Sequence, residues 1–136
     1  MSLQAIQVPG WKSPKGYSNG QLAPAGARLL AIAGQVAWDA NEQIVGRGEF
    51  AAQFRQALSN VLAIVRAAGG EPSDLMSLTI FVVDSKAYSE CLRDLGAIWK
   101  ELVGRHYPAM ALVQVAALLE DGALLEIQGL AALTPR

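Results

Sequence analysis

Tyr107-Pro108-Ala109-Met110 opens a strand-like run, and Leu124-Leu125-Glu126-Ile127-Gln128-Gly129 forms a second one downstream. Between them, Glu120-Asp121-Gly122 carries the Asp-Gly signal of a tight hairpin turn, so strands are expected near 110–117 and 123–132. Side chains alternate along a strand. Met110, Leu112 and Gln114 therefore share one face of the first, and Glu126 and Gln128 share one face of the second. Paired in the natural register of a hairpin, Met110 and Glu126 approach one cleft. A carboxylate inside an otherwise apolar strand is costly to bury alone, so either its pKa rises or it meets a donor. A pKa raised toward neutrality is what a general acid/base requires.

Working outward, Met76 to Val83 is a β-branched run and reads as a strand. Arg28 to Ala33, ended by Gly34, is a continuous apolar run of the kind buried on both faces. Ala5 to Val8 and Gly16 to Leu22 read as shorter strands, the first closed by Pro9-Gly10 and the second turning at Pro24-Ala25-Gly26. Phe50, Phe54, Ala57, Leu58, Val61, Ile64, Val65 and Ala68 fall on one helix face, and Gly69-Gly70 supplies the left-handed C-cap. Asp84 or Ser85 can cap a second helix, whose stripe is Tyr88, Cys91, Leu92, Leu95, Ile98, Trp99 and Leu102. Trp11 to Lys15 and Asp39 to Gly48 are loops. The order reads as α+β: a single domain over 1–136, a mixed six-stranded sheet with two helices on one face.

Composition narrows the classes. The chain is 52% hydrophobic, yet no apolar run approaches the roughly 18 residues that a membrane span requires. Surplus apolar surface without a span predicts burial between subunits, and a sheet covered on one face only predicts the same. A net charge of −1 with no basic run speaks against nucleic acid. One cysteine and one histidine leave no set for a cysteine-rich or multi-histidine metal site, and no metal is expected. Met1-Ser2-Leu3-Gln4 lacks the basic segment and long apolar core of a signal peptide, so a cytoplasmic location is expected.

Several stretches together, in order and spacing, resemble the RidA/YjgF family of small trimeric proteins. They are Gly16-Tyr17-Ser18, Ala33-Gly34-Gln35, Ala57-Leu58-Ser59-Asn60-Val61 through Ala67-Ala68-Gly69, Thr79 to Asp84, Tyr107-Pro108-Ala109, and Leu125-Glu126-Ile127 with Ala131. The resemblance implies a chorismate-mutase-like fold, a homotrimer, and clefts between subunits that hold a small-molecule ligand. Deaminating members hydrolyse reactive imines and enamines without cofactor or metal. In them an arginine clamps the substrate carboxylate, a glutamate on the last strand handles a water, and a tyrosine completes the pocket. Carried over, the glutamate is Glu126 and the tyrosine is Tyr17, the two catalytic candidates. The Gly-Gln pair is Gly34-Gln35. The arginine is Met110, the serine before the Gly-Gln pair is Ala33, a cysteine two residues after the arginine is Leu112, and a helix asparagine is Leu92. Four polar positions are apolar here, the mark of a re-lined pocket. A thioether cannot imitate the two parallel hydrogen bonds of a guanidinium.

The residues leave alternatives open. Glu126 can serve as a strand carboxylate paired with a cation, and Cys91 as an inert buried thiol. Arg105, five residues before Met110, is a candidate substitute for the missing guanidinium, and Trp11 and Trp38 are candidates for the cleft rim. Whether the protein is an enzyme stays open. One function is a hydrolase or deaminase of a small imine, enamine or related non-carboxylate or aromatic metabolite. The alternative is a non-catalytic trimeric binding protein. An endoribonuclease or translation-inhibitor role, also attached to the family, meets the acidic charge balance as an obstacle.

Overall fold

The computed structural model describes residues 3–135. Met1 and Ser2, part of the N-terminal stretch read above for a signal segment, lie outside the described residues. The order is β1 (Gln4–Ile6), β2 (Gly20–Leu22), β3 (Arg28–Gln35), α1 (Phe50–Ala67), a 3-10 turn (Pro72–Asp74) and β4 (Leu75–Val82). Then come α2 (Ser85–Glu90), α3 (Leu92–Leu102), β5 (Ala109–Gln114) and β6 (Leu125–Leu133). This is the expected α+β class, with helices against a mixed sheet. The six strands divide into a four-stranded sheet, β3-β6-β4-β5, and a β1-β2 hairpin. A single bridge from Ser18 to Ala109 ties the hairpin to the β5 edge.

The expected hairpin between the last two strands does not form. β5 pairs in parallel with β4, and β6 pairs antiparallel with both β4 and β3, so β4 lies between them. The connection from β5 to β6 instead crosses the end of β4. Val115 N–H bonds to the Val82 carbonyl at 2.8 Å, and Val83 N–H bonds to the Leu124 carbonyl at 3.2 Å. The Asp-Gly signal is real, since Gly122 has φ +83°, but a local turn does not dictate which strands become neighbours. β4 wins the central place because its inward side chains Leu75, Leu78, Ile80 and Val82 are all buried.

Two further expectations change. The second helix breaks at Cys91 (φ −122°, ψ 25°), giving α2 and α3 in place of one continuous stripe. The break accompanies edge-to-face packing of Tyr88 on Phe50, with ring centroids 6.3 Å apart. β3 is not buried on both faces: Ile32 points into the core, whereas Leu29 is 67% exposed. The caps behave as anticipated. Asp84 accepts from Lys86 N–H at 3.0 Å, and Gly69 follows α1 at φ +89°.

The core lies between the helices and one sheet face. Leu58, Val61, Leu62 and Val65 of α1 meet Leu125 and Ile127 of β6 and Val82 of β4, all nearly inaccessible to solvent. Each such aliphatic side chain contributes about 1.5–3 kcal/mol by leaving water. Two amides then fix the loops. Asn60 donates to the carbonyls of Val36 and Trp38, holding the chain that leaves β3. Gln53, fully buried, donates to the carbonyls of Gly46 and Gly122 and accepts from Leu124 N–H. That last bond positions the entry into β6, two residues before Glu126.

Candidate functional site

Sheet register decides which candidate side chains can meet. Met110 is the partner of Leu78 and Leu112 the partner of Ile80, so both lie on the helix-covered face. Glu126 is the partner of Phe81 and is flanked by Leu125 and Ile127, which point into the core. It therefore projects from the opposite, open face. Within one protomer Met110 and Glu126 do not share a cleft, which corrects the hairpin-based expectation. The cause is the intervening β4, which resets both strands' faces.

The candidates fall instead into two groups. The first surrounds a cavity of about 460 Å³ between β5 and the α2-α3 pair, lined by Tyr17, Leu92, Met110 and Leu112 among others. Tyr17 reaches it because the loop before β2 is pinned to the start of β5. Ser18 N–H donates to the Pro108 carbonyl at 3.0 Å, the Ser18 hydroxyl donates to the Tyr107 carbonyl, and Gln21 Nε2 donates to that same carbonyl at 3.0 Å. The second group sits on the open face. Ala33, Gly34 and Gln35 lie at a register shift in β3, with the Gln35 amide donating to the Ala33 carbonyl at 3.0 Å. Glu126 lies directly over Gly34, where a Cβ atom would meet Oε2 and fall 2.8 Å from Cδ. A Cβ at position 34 would therefore push the Glu126 carboxylate aside. Among the described residues, no protein donor bonds the Glu126 carboxylate, so the paired-carboxylate reading fails within the protomer.

Some candidates lie elsewhere. Arg105, Trp11 and Trp38 do not line the cavity; Trp11 is 62% exposed on its loop, and the carbonyl of Trp38 is held by Gln56 and Asn60. His106 is structural, its ring bonded to the Leu75 carbonyl and its own carbonyl accepting from Trp99 Nε1. Burial first, then the Asp94 and Glu90 carboxylates, push the thiol of the half-buried Cys91 up, which disfavours the thiolate.

The cavity also contains residues that the sequence argument did not place there: Lys15, Tyr88, Trp99 and Tyr107. The signal for part of this was present, since Tyr88, Leu92, Leu95 and Trp99 recur at helical spacing. That stripe reads as core until the break at Cys91 turns its upper end outward.

The α+β fold, with its mixed β3-β6-β4-β5 sheet and packed helices, defines a class of protein, and the comparisons agree on it. The model of the family described as endoribonuclease L-PSP matches residues 12–133. A RutC family protein of Synechocystis is 31% identical over 134 residues, covering 98% of each chain. Human 2-iminobutanoate/2-iminopropanoate deaminase is 29% identical over 129 residues, 95% of this chain and 87% of that one. Among solved structures, a Rid family protein of Yersinia pestis superposes with a TM-score of 0.79 at 33% identity, covering 98% of this chain and all of the other. The chain belongs to the RidA/YjgF family, the one whose model carries the L-PSP description.

Proposed function

We propose that this chain, acting as one unit over 1–136, assembles into a homotrimer whose subunit clefts carry out cofactor-independent hydrolysis of a small imine or enamine. The substrate is aromatic or otherwise lacks the carboxylate that an arginine at Met110 would hold. The observation that carries this reading is the division of the candidates between two sheet faces: a complete site needs a second copy. Tyr17, Leu92, Met110 and Leu112 of one protomer form one wall, and Ala33, Gly34, Gln35 and Glu126 of the next form the other. The open face is apolar enough for such contact, with Leu29 and Val113 exposed there.

In the reaction, Glu126 takes a proton from water as its oxygen adds to the carbon of the C=N bond. That proton is delivered to the nitrogen to complete a carbinolamine, whose hydroxyl proton then passes through Glu126 to the amine as the C–N bond breaks, releasing ammonia and leaving a carbonyl compound. No electrons are exchanged. Tyr17 orients the water or the nitrogen through its hydroxyl. Replacing a bidentate arginine contact with Met110 removes a few kcal/mol, roughly a hundredfold in carboxylate binding.

Ammonia release from the imine of a simple amino acid is therefore expected to stay near background, while an imine bearing an aromatic side chain is hydrolysed faster. Robust acceleration on the simple imine would overturn the substrate assignment. Met110→Arg should raise the simple-imine rate if Ala33 and Leu112 accommodate the ion; an unchanged rate in a folded variant counts against the re-lined pocket. Gly34→Ala should fold, because Gly34 does not need a positive φ, yet its Cβ displaces Glu126. A roughly tenfold loss of rate with little change in thermal midpoint is expected. The non-catalytic alternative has one observation in its favour, the apolar contact of Met110 and Leu112 with the core. Saturable ligand binding with no turnover of any imine would establish it.

A further inference from the structure

We propose that the ligand of this cavity carries a single anionic group remote from its reacting carbon, and that Lys15 at the rim binds that group. This rests on the reading of the cleft as a site for a small aromatic molecule, and it adds where the ligand's charge lies. Among the described residues of one protomer, Lys15 is the only charged side chain lining the cavity, and no carboxylate of that protomer lines it. Among the described residues Lys15 takes part in no ion pair within its own protomer. It sits on a held segment, between Pro14 and Gly16, whose φ is +78°, and three residues before the Ser18 anchor to β5.

The remaining lining explains why the anion belongs at the rim. Met110 and Leu112 offer no donor at the floor. Trp99 buries its ring there, but its Nε1 is already committed to the His106 carbonyl. The hydroxyls of Tyr17, Tyr88 and Tyr107 make no hydrogen bond to the described residues, leaving neutral donors around an apolar slot. A cation at the mouth of such a slot acts through a lower dielectric than bulk water and draws anions toward it. An aromatic body enters between Leu92, Trp99 and Tyr107, and its charged substituent stays outside with Lys15.

The test is calorimetric titration of the intact protein at low salt with indole-3-acetate and with indole-3-acetamide, which share a ring and differ in charge. The acid is expected to bind about fivefold tighter than the amide, and added salt should shrink that ratio. In Lys15→Met the acid-to-amide ratio should collapse to about one, and in Lys15→Arg it should persist. Equal affinities in the wild-type protein, or a ratio that survives Lys15→Met, would overturn the assignment of Lys15 while leaving the aromatic cleft in place. Binding of neither probe would overturn both.

Discussion

Glu126→Gln should lower imine hydrolysis by about a hundredfold or more while leaving the fold intact. Glutamine keeps the shape and length of the side chain but cannot accept a proton at neutral pH, and general base catalysis contributes on the order of 10²–10⁴. The site tolerates the change because Glu126 is half-buried on an open face and makes no bond to the described residues that an amide would break. Initial ammonia release on an aromatic imine, read beside the thermal midpoint, checks it. A rate retained within a few fold would remove Glu126 from the chemistry. The same variant tests where the two walls of the site come from. Tyr17→Ala disables one wall and Glu126→Gln the other, so trimers assembled from an equal mixture should regain about a quarter of wild-type activity, as each cleft draws its walls independently. No recovery would place both residues in one protomer's site, contrary to the sheet register.

The second large effect concerns Gln53, which does not line the cavity. Gln53→Ala is expected to destabilise the protein by about 3–5 kcal/mol, because it orphans the carbonyls of Gly46 and Gly122 and the N–H of Leu124 in a buried site. For a domain of this size that corresponds to a drop in thermal midpoint of roughly 10 °C or more. Gln53→Leu should fare no better, since an apolar isostere leaves the same three groups unpaired. A shift under about 2 °C in either variant would mean that water takes over the bonds without cost. Activity should fall along with stability, because the Leu124 contact fixes the strand that carries Glu126.

The surface pair Arg55–Glu101, bidentate at 2.7 and 3.1 Å, links α1 to α3 without approaching the site. Its hydrogen bonds lower the Glu101 carboxyl below its usual range. The small stabilisation is accordingly present above the ordinary carboxylate pKa and fades as pH falls through the lowered one.

Most of the fold was legible because its signals are local. The helical spacing from Phe50 to Ala68, the Gly69 cap, the Asp84 cap and the apolar runs of β3, β4 and β6 each depend on a few adjacent residues. The apolar character of Ala33, Leu92, Met110 and Leu112 was equally readable, since it concerns only which residue stands where. The break at Cys91 was not, because a stripe at helical spacing is the same whether the helix is one piece or two.

By itself, the sequence determined the α+β class and the family, and it singled out Glu126 and Tyr17 as candidates beside the apolar Ala33, Leu92, Met110 and Leu112. Period-two alternation also told which residues share a face within each strand. Only the tertiary structure decided which strands are neighbours. By inserting β4 between β5 and β6, it set Met110 and Glu126 on opposite faces and brought Lys15, Tyr88, Trp99 and Tyr107 to the cavity. The reason is physical: turn chemistry acts over a few residues, whereas strand order depends on which apolar faces the whole chain can bury together.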